Sequence, residues 1–208
     1  MSATLNTLSK TIIEPTQKQQ VHIYSHAPRS FTVEEYHRMI EAGVFKPTDR
    51  VELIDGRILE MSPKGIKHAS SNDRSTRCFN RKLGKRVLIR NQNPIHLSDD
   101  TEPEPDIVLV APHKKEYADH HPTPKEIFLV MEIADTTIDF DRNEKSLIYA
   151  RAGIIQYCVL NVSTRELEDY RGPGKAGYRS KQTFRASQSF SLVAFPSVEI
   201  KVKDLLPL

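Results

Sequence analysis

The stretch IFLVMEIA, residues 127–134, is almost continuously apolar and carries a single carboxylate, Glu132. A run of this kind is typical of a central strand that is covered on both faces of a sheet. Residues 154–162 repeat this character, and residues 141–152 between the two runs have helical spacing. The apolar positions of that helix and the glycine that ends it are Leu147, Ile148, Ala152 and Gly153. The order strand, helix, strand therefore forms the centre of the predicted fold.

Further strands are predicted on the N-terminal side of this unit. Asp55-Gly56 separates two strand-forming runs, residues 51–54 and 58–61, and this dipeptide is the strongest short-range signal for a β-hairpin. Clusters of Asn, Pro and Asp divide the next apolar runs from one another. These runs predict strands over residues 87–90, 95–97 and 107–110.

Two helices are predicted before the central unit. Thr32 followed by Glu35 matches a capping box, and Gly43 supplies the stop of this first helix. Residues 68–83 are polar with sparse apolar positions and end at Gly84, which predicts a helix with a broad wet face. The basic residues of that face are candidates for contact with the phosphate backbone of a nucleic acid, and they are Arg74, Arg77, Arg81 and Lys82.

The whole pattern predicts an α/β fold with a mixed β-sheet flanked by helices. Residues 166–170 and the segment 178–200 extend it with a terminal β meander. Residues 1–29 are rich in Ser, Thr, Gln and Lys without a sustained period, which favours a flexible arm. We therefore expect an arm over residues 1–29 and one domain over residues 30–208.

Composition excludes several classes of protein. Hydrophobic residues make up 38% and charged residues 27% of the 208 residues, values that are ordinary for a globular protein and exclude a wholly disordered chain. The net charge of +3 permits nucleic-acid binding without requiring it. The two cysteines, Cys78 and Cys158, have no zinc-binding spacing and are expected to be small buried residues in a reducing compartment. With no apolar run of signal-peptide or membrane-span length, a cytoplasmic protein is expected.

Two carboxylates carry the predicted chemistry. Asp106 opens the strand 107–110, and Glu132 lies near the end of the next long strand. Carboxylates that converge at adjacent strands form a hard oxygen site suited to Mg²⁺ or Mn²⁺, with a backbone carbonyl, that of Ile133, as a further ligand. Such an ion stabilises charge on a phosphoryl group and lowers the pKa of bound water.

This arrangement resembles the PD-(D/E)XK nucleases of restriction-endonuclease-like fold. The matching residues are Pro105-Asp106 and Glu132-Ile133-Ala134, with alanine in the position where the pattern has lysine. Lys145, on the helix that follows, is predicted to replace that lysine and to point its amine at Asp106 and Glu132.

Residues 31–171 more closely resemble a bacterial family of Uma-type endonucleases. The resemblance is carried in order by VELIDGRILEMSP, PEPDIVLV, LVMEIADTT and DRNEKSLIYARAGIIQYCVLNV. It implies a nuclease-like fold, a divalent-metal site and frequent dimers. Glu52 and His68 match further positions of the family pattern, Glu52 to assist the metal or water and His68 to orient a phosphate or water.

The sequence leaves three functions open. The first is metal-dependent hydrolysis of DNA, with Asp106, Glu132 and Lys145 as its central residues. The second is a nucleic-acid-binding protein that kept the fold but lost turnover, which the missing lysine at position 134 favours. The third is a homodimeric structural or regulatory protein in which the same residues form a buried ion-pair network. His120-His121 has no matching Cys or carboxylate spacing, so no metal site is predicted there.

Overall fold

The computed structural model describes residues 28–135 and 138–208. The predicted arm therefore lies, except for residues 28 and 29, outside the described residues. The chain has ten strands and four α-helices within the described ranges. The helices are α1 (Val33–Glu41), α2 (Ile66–Leu83), α3 (Ile138–Phe140) and α4 (Ser146–Arg151), and a π-helical turn, Asp141–Lys145, joins α3 to α4. The strands are β1 (Val51–Ile54), β2 (Arg57–Glu60), β3 (Leu88–Asn91), β4 (Ile107–Val110), β5 (Ile127–Ala134), β6 (Gln156–Asn161), β7 (Glu166–Arg171), β8 (Ser180–Arg185), β9 (Ser189–Leu192) and β10 (Phe195–Lys201).

Six of these strands form one mixed sheet in the order β3-β4-β5-β6-β7-β8. Strands β5 and β6 are parallel, because the helical segment 138–151 crosses between them, and every other neighbouring pair is antiparallel. The strand-helix-strand centre and the mixed α/β class are confirmed. The hairpins β1-β2 and β9-β10 form two separate two-stranded sheets.

The central strand β5 is buried on both faces, as its apolar run predicts. Leu129, Met131 and Ile133 point into one core cluster together with Phe79 of α2 and residues of β9 and β10. The alternate residues of β5 point into a second cluster that contains Tyr149 of α4. Period-two alternation therefore assigns the apolar positions of β5 from Leu129 onward to two cores, while Ile127 joins the second cluster across a register shift.

The predicted Asp-Gly hairpin is confirmed. Asp55 and Gly56 have φ of 47° and 70°, the left-handed backbone of a type I′ turn. A Cβ on Gly56 would lie 2.5 Å from the Cβ of Ser30, so the turn needs glycine for space as well as for conformation. Helix α1 begins with the predicted capping box of Thr32 and Glu35.

The prediction of a strand over residues 95–97 is wrong. Ile95 N–H donates to Pro103 O and Leu97 N–H to Thr101 O, but only an isolated bridge, Ser98↔Thr101, forms in this tight turn. Pro103 has no N–H to return to the ladder, so the segment cannot extend into a regular strand pair.

Cys78 and Cys158 are both buried free thiols, as predicted. Among the described residues, none of the helices combines the length and the apolar character needed to cross a membrane.

Candidate active site

The two predicted carboxylates meet at the ends of neighbouring strands. In the antiparallel pair β4-β5, Ile107 faces Met131, so the next step of the register places Asp106 opposite Glu132. The backbone N–H of Asp106 donates to Oε2 of Glu132 at 3.3 Å. The two side chains therefore lie on one face of the sheet, at adjacent strand ends. That the two carboxylates share one metal ion stays a prediction.

Asp106 is almost fully buried and is held by three groups. Its Oδ2 lies 2.8 Å from Nε2 of His68 and accepts from the N–H of Ile133 at 2.9 Å. Its Oδ1 lies 3.2 Å from Nζ of Lys64. Burial raises the pKa of Asp106, but the His68 hydrogen bond and charge, the Ile133 N–H and Lys64 together hold the pKa below its ordinary value. The side chain is therefore an oriented carboxylate at neutral pH.

The backbone of Ile133 also faces Asp106. In a β-strand the N–H and C=O of one residue point to the same side of the strand. The Ile133 N–H donates to Asp106, so the carbonyl of Ile133 is directed to the same side. This point lies just before the first residue of β4. Ile133 also lines the cavity described below.

Glu132 lies in the more apolar environment of the two. Its Oε1 accepts from Nζ of Lys145 and from the hydroxyl of Tyr149, both at 2.9 Å. Burial raises the pKa of Glu132 to about 8, against the lowering effect of the Lys145 charge. This carboxylate is thus costly to ionise even with the Lys145 ammonium beside it, and a further cation would favour its ionised form.

Lys145 reaches the site from the helical segment that follows β5. Its amine lies 2.9 Å from Glu132 Oε1 and 3.4 Å from Glu52 Oε1. Burial lowers the pKa of this amine, but the carboxylates of Glu132, Glu52 and Asp141 outweigh burial and hold the pKa above its ordinary value. The expectation that Lys145 points at Glu132 is confirmed. The expectation for Asp106 is wrong, because Lys64 is the cation paired with Asp106 and Lys145 is shared with Glu52.

The face of the helix that carries Lys145 also differs from the prediction. Leu147 and Ile148 are only half-buried, whereas Lys145, Tyr149 and Asp141 are buried at intervals of four residues. A π-helical turn, Asp141–Lys145, precedes this stretch. Lys145 and Tyr149 share one face at regular helical spacing, and tertiary packing buries that face rather than the one that carries Leu147. Lys145 therefore lies in the middle of the buried face, with the carboxylates rather than apolar side chains as its neighbours.

These groups line one cavity of about 260 Å³ that is partly open to solvent. Seven carboxylate residues contribute to its wall against two lysines and His68. The carboxylate residues are Glu52, Glu60, Glu104, Asp106, Glu132, Asp135 and Asp141. A phosphodiester entering this cavity would meet a strongly negative field unless further cations are bound.

The structure brings together Asp106, Glu132, Ile133, Lys145, Glu52 and His68, all of which line the cavity. The predicted basic residues of α2 lie further along that helix, beyond His68 in its first turn. Arg74 donates to the backbone O of Lys203 at 3.2 Å, and Arg81 lies 3.7 Å from Asp204, so both contact the C-terminal segment. Arg77 and Lys82 are exposed.

Two residues of the site were missed by the sequence reasoning. Lys64 follows the SP turn of the quoted motif and precedes α2, a place where a lysine is ordinarily solvated. Tyr149 carries a detectable signal, because it lies four residues after Lys145 and so shares its helical face. The Tyr149 hydroxyl and the Lys145 amine both donate to Oε1 of Glu132 and hold this carboxylate together.

Comparison with known proteins identifies the family of this chain and a solved structure of the same fold. The sequence profile of Uma2, described as "Putative restriction endonuclease", matches residues 33–203. A solved structure from Anabaena variabilis ATCC 29413, described as a "putative nuclease belonging to DUF820", superposes with a TM-score of 0.67, covering 84% of this chain and 97% of its own. It is 15% identical in sequence and shows the shared fold. A search among curated proteins found no match. Since the profile spans most of the described domain, the chain belongs to the Uma2 family.

Proposed function

We propose that this protein is a divalent-metal-dependent endonuclease that hydrolyses phosphodiester bonds of DNA. The observation that carries the proposal is the convergence of Asp106 and Glu132 in one cavity, with the buried ammonium of Lys145 at 2.9 Å from Glu132. The family match supports a nuclease activity in general terms. The metal, the substrate and the roles of the residues below are part of the proposal.

The donor set fits Mg²⁺ or Mn²⁺. Asp106 and Glu132 supply carboxylate oxygens, and the carbonyl of Ile133 is directed to the same side, which are ligands that hard cations prefer. The excess of carboxylates over lysines around the cavity also favours a divalent cation. When bound, the ion would neutralise charge on the phosphoryl group and supply a more acidic water as the nucleophile.

Lys145 acts in this proposal as a charged hydrogen-bond donor. Its raised pKa keeps the amine protonated at neutral pH, so it cannot serve as the base that removes a proton from water. A fixed ammonium inside a shielded cavity stabilises negative charge that develops on the phosphate during attack. Glu52 and Tyr149 keep the lysine and Glu132 in position.

His68 is proposed as a positioning residue for Asp106. Its Nε2 donates to Oδ2 of Asp106, while its Nδ1 is buried without a hydrogen-bond partner among the described residues. Asn72, one turn further along α2, donates to the backbone O of Asp106 and supports the same strand end.

The geometry bears on the two competing functions. A purely structural ion-pair network would be closed, whereas these side chains line a cavity that is partly open to solvent. An inactive nucleic-acid-binding protein would not need a buried ammonium beside the carboxylates, and Lys145 supplies one despite alanine at position 134. Both observations favour the nuclease. The homodimer implied by the family resemblance stays a prediction.

The test is cleavage of supercoiled plasmid and of single-stranded DNA in Mg²⁺ or Mn²⁺. The wild type is expected to nick or cut the DNA, and chelation by EDTA should stop the reaction. Asp106→Ala should lower the rate by about 10²-fold or more, since it removes a proposed metal ligand. Glu60→Gln is the matched control, because Glu60 lines the same cavity but is exposed and lies outside the proposed ligand set.

Equal cleavage by wild type and Asp106→Ala would contradict the proposal and indicate a contaminating nuclease. Salt-dependent DNA binding by the wild type without any cleavage would favour the inactive binding protein instead.

A further inference from the structure

A second cluster of metal-ligating side chains lies outside the cavity just described. Ligand atoms of His37, Glu102 and His121 all lie within 4.8 Å of one another. Nε2 of His37 lies 2.5 Å from Oε1 of Glu102, and Nδ1 of His96 lies 3.7 Å from Oε2 of the same carboxylate. Neither Glu102 nor any of these histidines lines the active-site cavity.

Backbone hydrogen bonds hold these residues together independently of their side chains. The tight turn after Ile95 pairs Leu97 N–H with Thr101 O, which places His96 beside Glu102. The N–H of His96 donates to Pro122 O at 3.0 Å, and His121 is the neighbour of that proline.

Helix α1 is attached to the same turn. The N–H of Val33 donates to Asp99 O at 2.7 Å, and His37 follows one turn later on the helix. Glu102 itself is bound to strand β1, because its N–H donates to Leu53 O at 2.8 Å. Three separate parts of the chain therefore present their side chains to one point.

The cluster is partly buried, unlike a solvated ion pair on the surface. Glu102 is 3% exposed, and Nδ1 of His121 is buried without a hydrogen-bond partner among the described residues. The side chains of His37 and His96 are 41% and 37% exposed, so an ion from solvent has access. A buried carboxylate and an unsatisfied imidazole nitrogen are groups that a cation would satisfy together.

We propose that His37, Glu102 and His121 form a second metal site, which binds Zn²⁺. Imidazole and carboxylate together suit zinc, whereas the carboxylates and carbonyl of the first site suit Mg²⁺, so the two sites select different metals. Ligands about 2.0–2.1 Å from one tetrahedral ion lie about 3.3 Å apart, so zinc binding would draw together ligand atoms that now lie within 4.8 Å of one another. Nδ1 of His96 lies 3.7 Å from the other oxygen of Glu102, at the edge of the proposed site.

The bound ion would fasten α1 to the turn that leads into the active site. Glu102 precedes Glu104 and Asp106 on the same extended segment, and Glu104 lines the active-site cavity. Zinc at this position would stabilise the fold and hold that segment against α1 and the loop 111–126. It requires no role in the hydrolysis step.

The test is Zn²⁺ binding to the full-length protein, produced without a histidine tag and treated with EDTA. Isothermal titration is expected to give one tight Zn²⁺ per chain, and Zn²⁺ should raise the melting temperature. Co²⁺ in its place should give the visible absorption of a four-coordinate site. His37→Gln/His121→Gln should lose both the binding and the thermal shift.

Three controls separate this site from other histidines and from the nuclease. His113→Gln/His120→Gln removes a second pair of neighbouring imidazoles, whose rings lie 5.3 Å apart, and should keep the binding. Asp106→Asn should also keep it, so the zinc result does not depend on the proposed hydrolysis. His37→Gln alone, at a half-exposed position, should weaken binding in a chain that still folds.

Tight zinc binding with wild-type affinity in His37→Gln/His121→Gln would overturn the proposal. So would a wild type that binds no Zn²⁺, or one whose binding is lost only in the His113→Gln/His120→Gln control.

Discussion

Ala134 lies on the same face of β5 as Glu132 and is fully buried against the core that contains Tyr149. The position that carries lysine in the nuclease pattern therefore carries no charge, and the ammonium comes from Lys145 on the next element. The chemistry of the site needs a cation near Glu132, and a lysine at position 134 or at position 145 can supply it.

We predict that Lys145→Ala abolishes DNA cleavage, with a loss of about 10²–10³-fold in rate, because it removes the fixed charge that stabilises the attacked phosphate. Ala134→Lys in the same chain should restore part of the activity, since the deleted side chain leaves space for the new one. Cleavage rates and far-UV circular dichroism of both variants provide the measurement. Ala134→Lys in the otherwise wild-type chain is the control and should destabilise the protein by about 1–3 kcal/mol through overpacking.

A second prediction at the residue scale concerns the metal. Mg²⁺ at about 100 times its dissociation constant stabilises the native state by about 2.7 kcal/mol if it binds only that state. For a chain of this size such a gain raises the melting temperature by about 5–10 °C. Glu132→Ala should remove the shift and Glu60→Gln should keep it. A full shift in Glu132→Ala would place the ion elsewhere.

At the scale of elements, an ion cluster anchors the segment that delivers Lys145. Glu168 on β7 is buried and accepts from Arg142, in the π-helical turn, and from the hydroxyl of Tyr170. Nζ of Lys181 on β8 lies 2.9 Å from Oε2 of Glu168, the oxygen that also accepts from Tyr170, whereas Arg142 donates to Oε1. Arg142 precedes Lys145 by less than one turn, so the cluster ties the start of this helix to the sheet.

We predict that this cluster weakens in acid. Burial raises the pKa of Glu168, but hydrogen bonds from Arg142, Lys181 and Tyr170 outweigh burial and hold the pKa below its ordinary value of 4.5. A depressed folded-state pKa contributes stability that is present above pH 4.5 and is lost as the pH falls through the folded-state pKa. Glu168→Gln should therefore cost about 2 kcal/mol at neutral pH, and this difference from wild type should shrink in acid.

Urea unfolding of the wild type and of Glu168→Gln, from neutral pH to below pH 4.5, measures this difference in the free energy of unfolding. Glu166→Gln on the same strand is the control, because its contact with Arg185 is 3.9 Å long and exposed. It should change the free energy of unfolding by less than about 1 kcal/mol. A Glu168 effect that is independent of pH would contradict the ionic explanation.

At the scale of the whole molecule, DNA would have to reach an acidic cavity from a surface that carries more positive charge. Helix α2 begins beside the cavity with His68 and continues to the exposed Arg77 and Lys82. At about 1.5 Å and about 100° per residue these two side chains lie about 14 and 21 Å along the helix from His68, with Arg77 on the opposite side of the helix from His68. Arg74 and Arg81 are partly engaged by the C-terminal segment and are expected to contribute less.

We predict that Arg77→Gln/Lys82→Gln weakens DNA binding and lowers the slope of log affinity against log salt by about 2, since each duplex phosphate contact contributes roughly 0.9. Binding titrations at several salt concentrations measure the slope. Lys125→Gln/Lys175→Gln removes the same charge from exposed positions outside α2 and should leave the slope close to wild type. Equal slopes in all three chains would exclude α2 from the DNA interface.

Local patterns account for most of the elements and for the pairing of Asp106 with Glu132. Strand alternation, the Asp-Gly turn and the Thr32 capping box depend on interactions between residues close in the chain, so the sequence by itself determined them. The meeting of the Asp106 and Glu132 carboxylates was also predictable from the sequence. Each lies beside or within an apolar strand, and two such strands that pair must bring their ends together.

The sequence predicted Lys145 beside Glu132, but only the tertiary structure brought Lys64 to Asp106 and Glu52 to Lys145. Lys64 lies in the loop before α2, where no periodic pattern indicates which way a side chain points. The failed strand at residues 95–97 and the cluster of His37, Glu102 and His121 have the same origin. Contacts between segments far apart in the chain depend on how whole elements pack, and local periodicity carries no information about that packing.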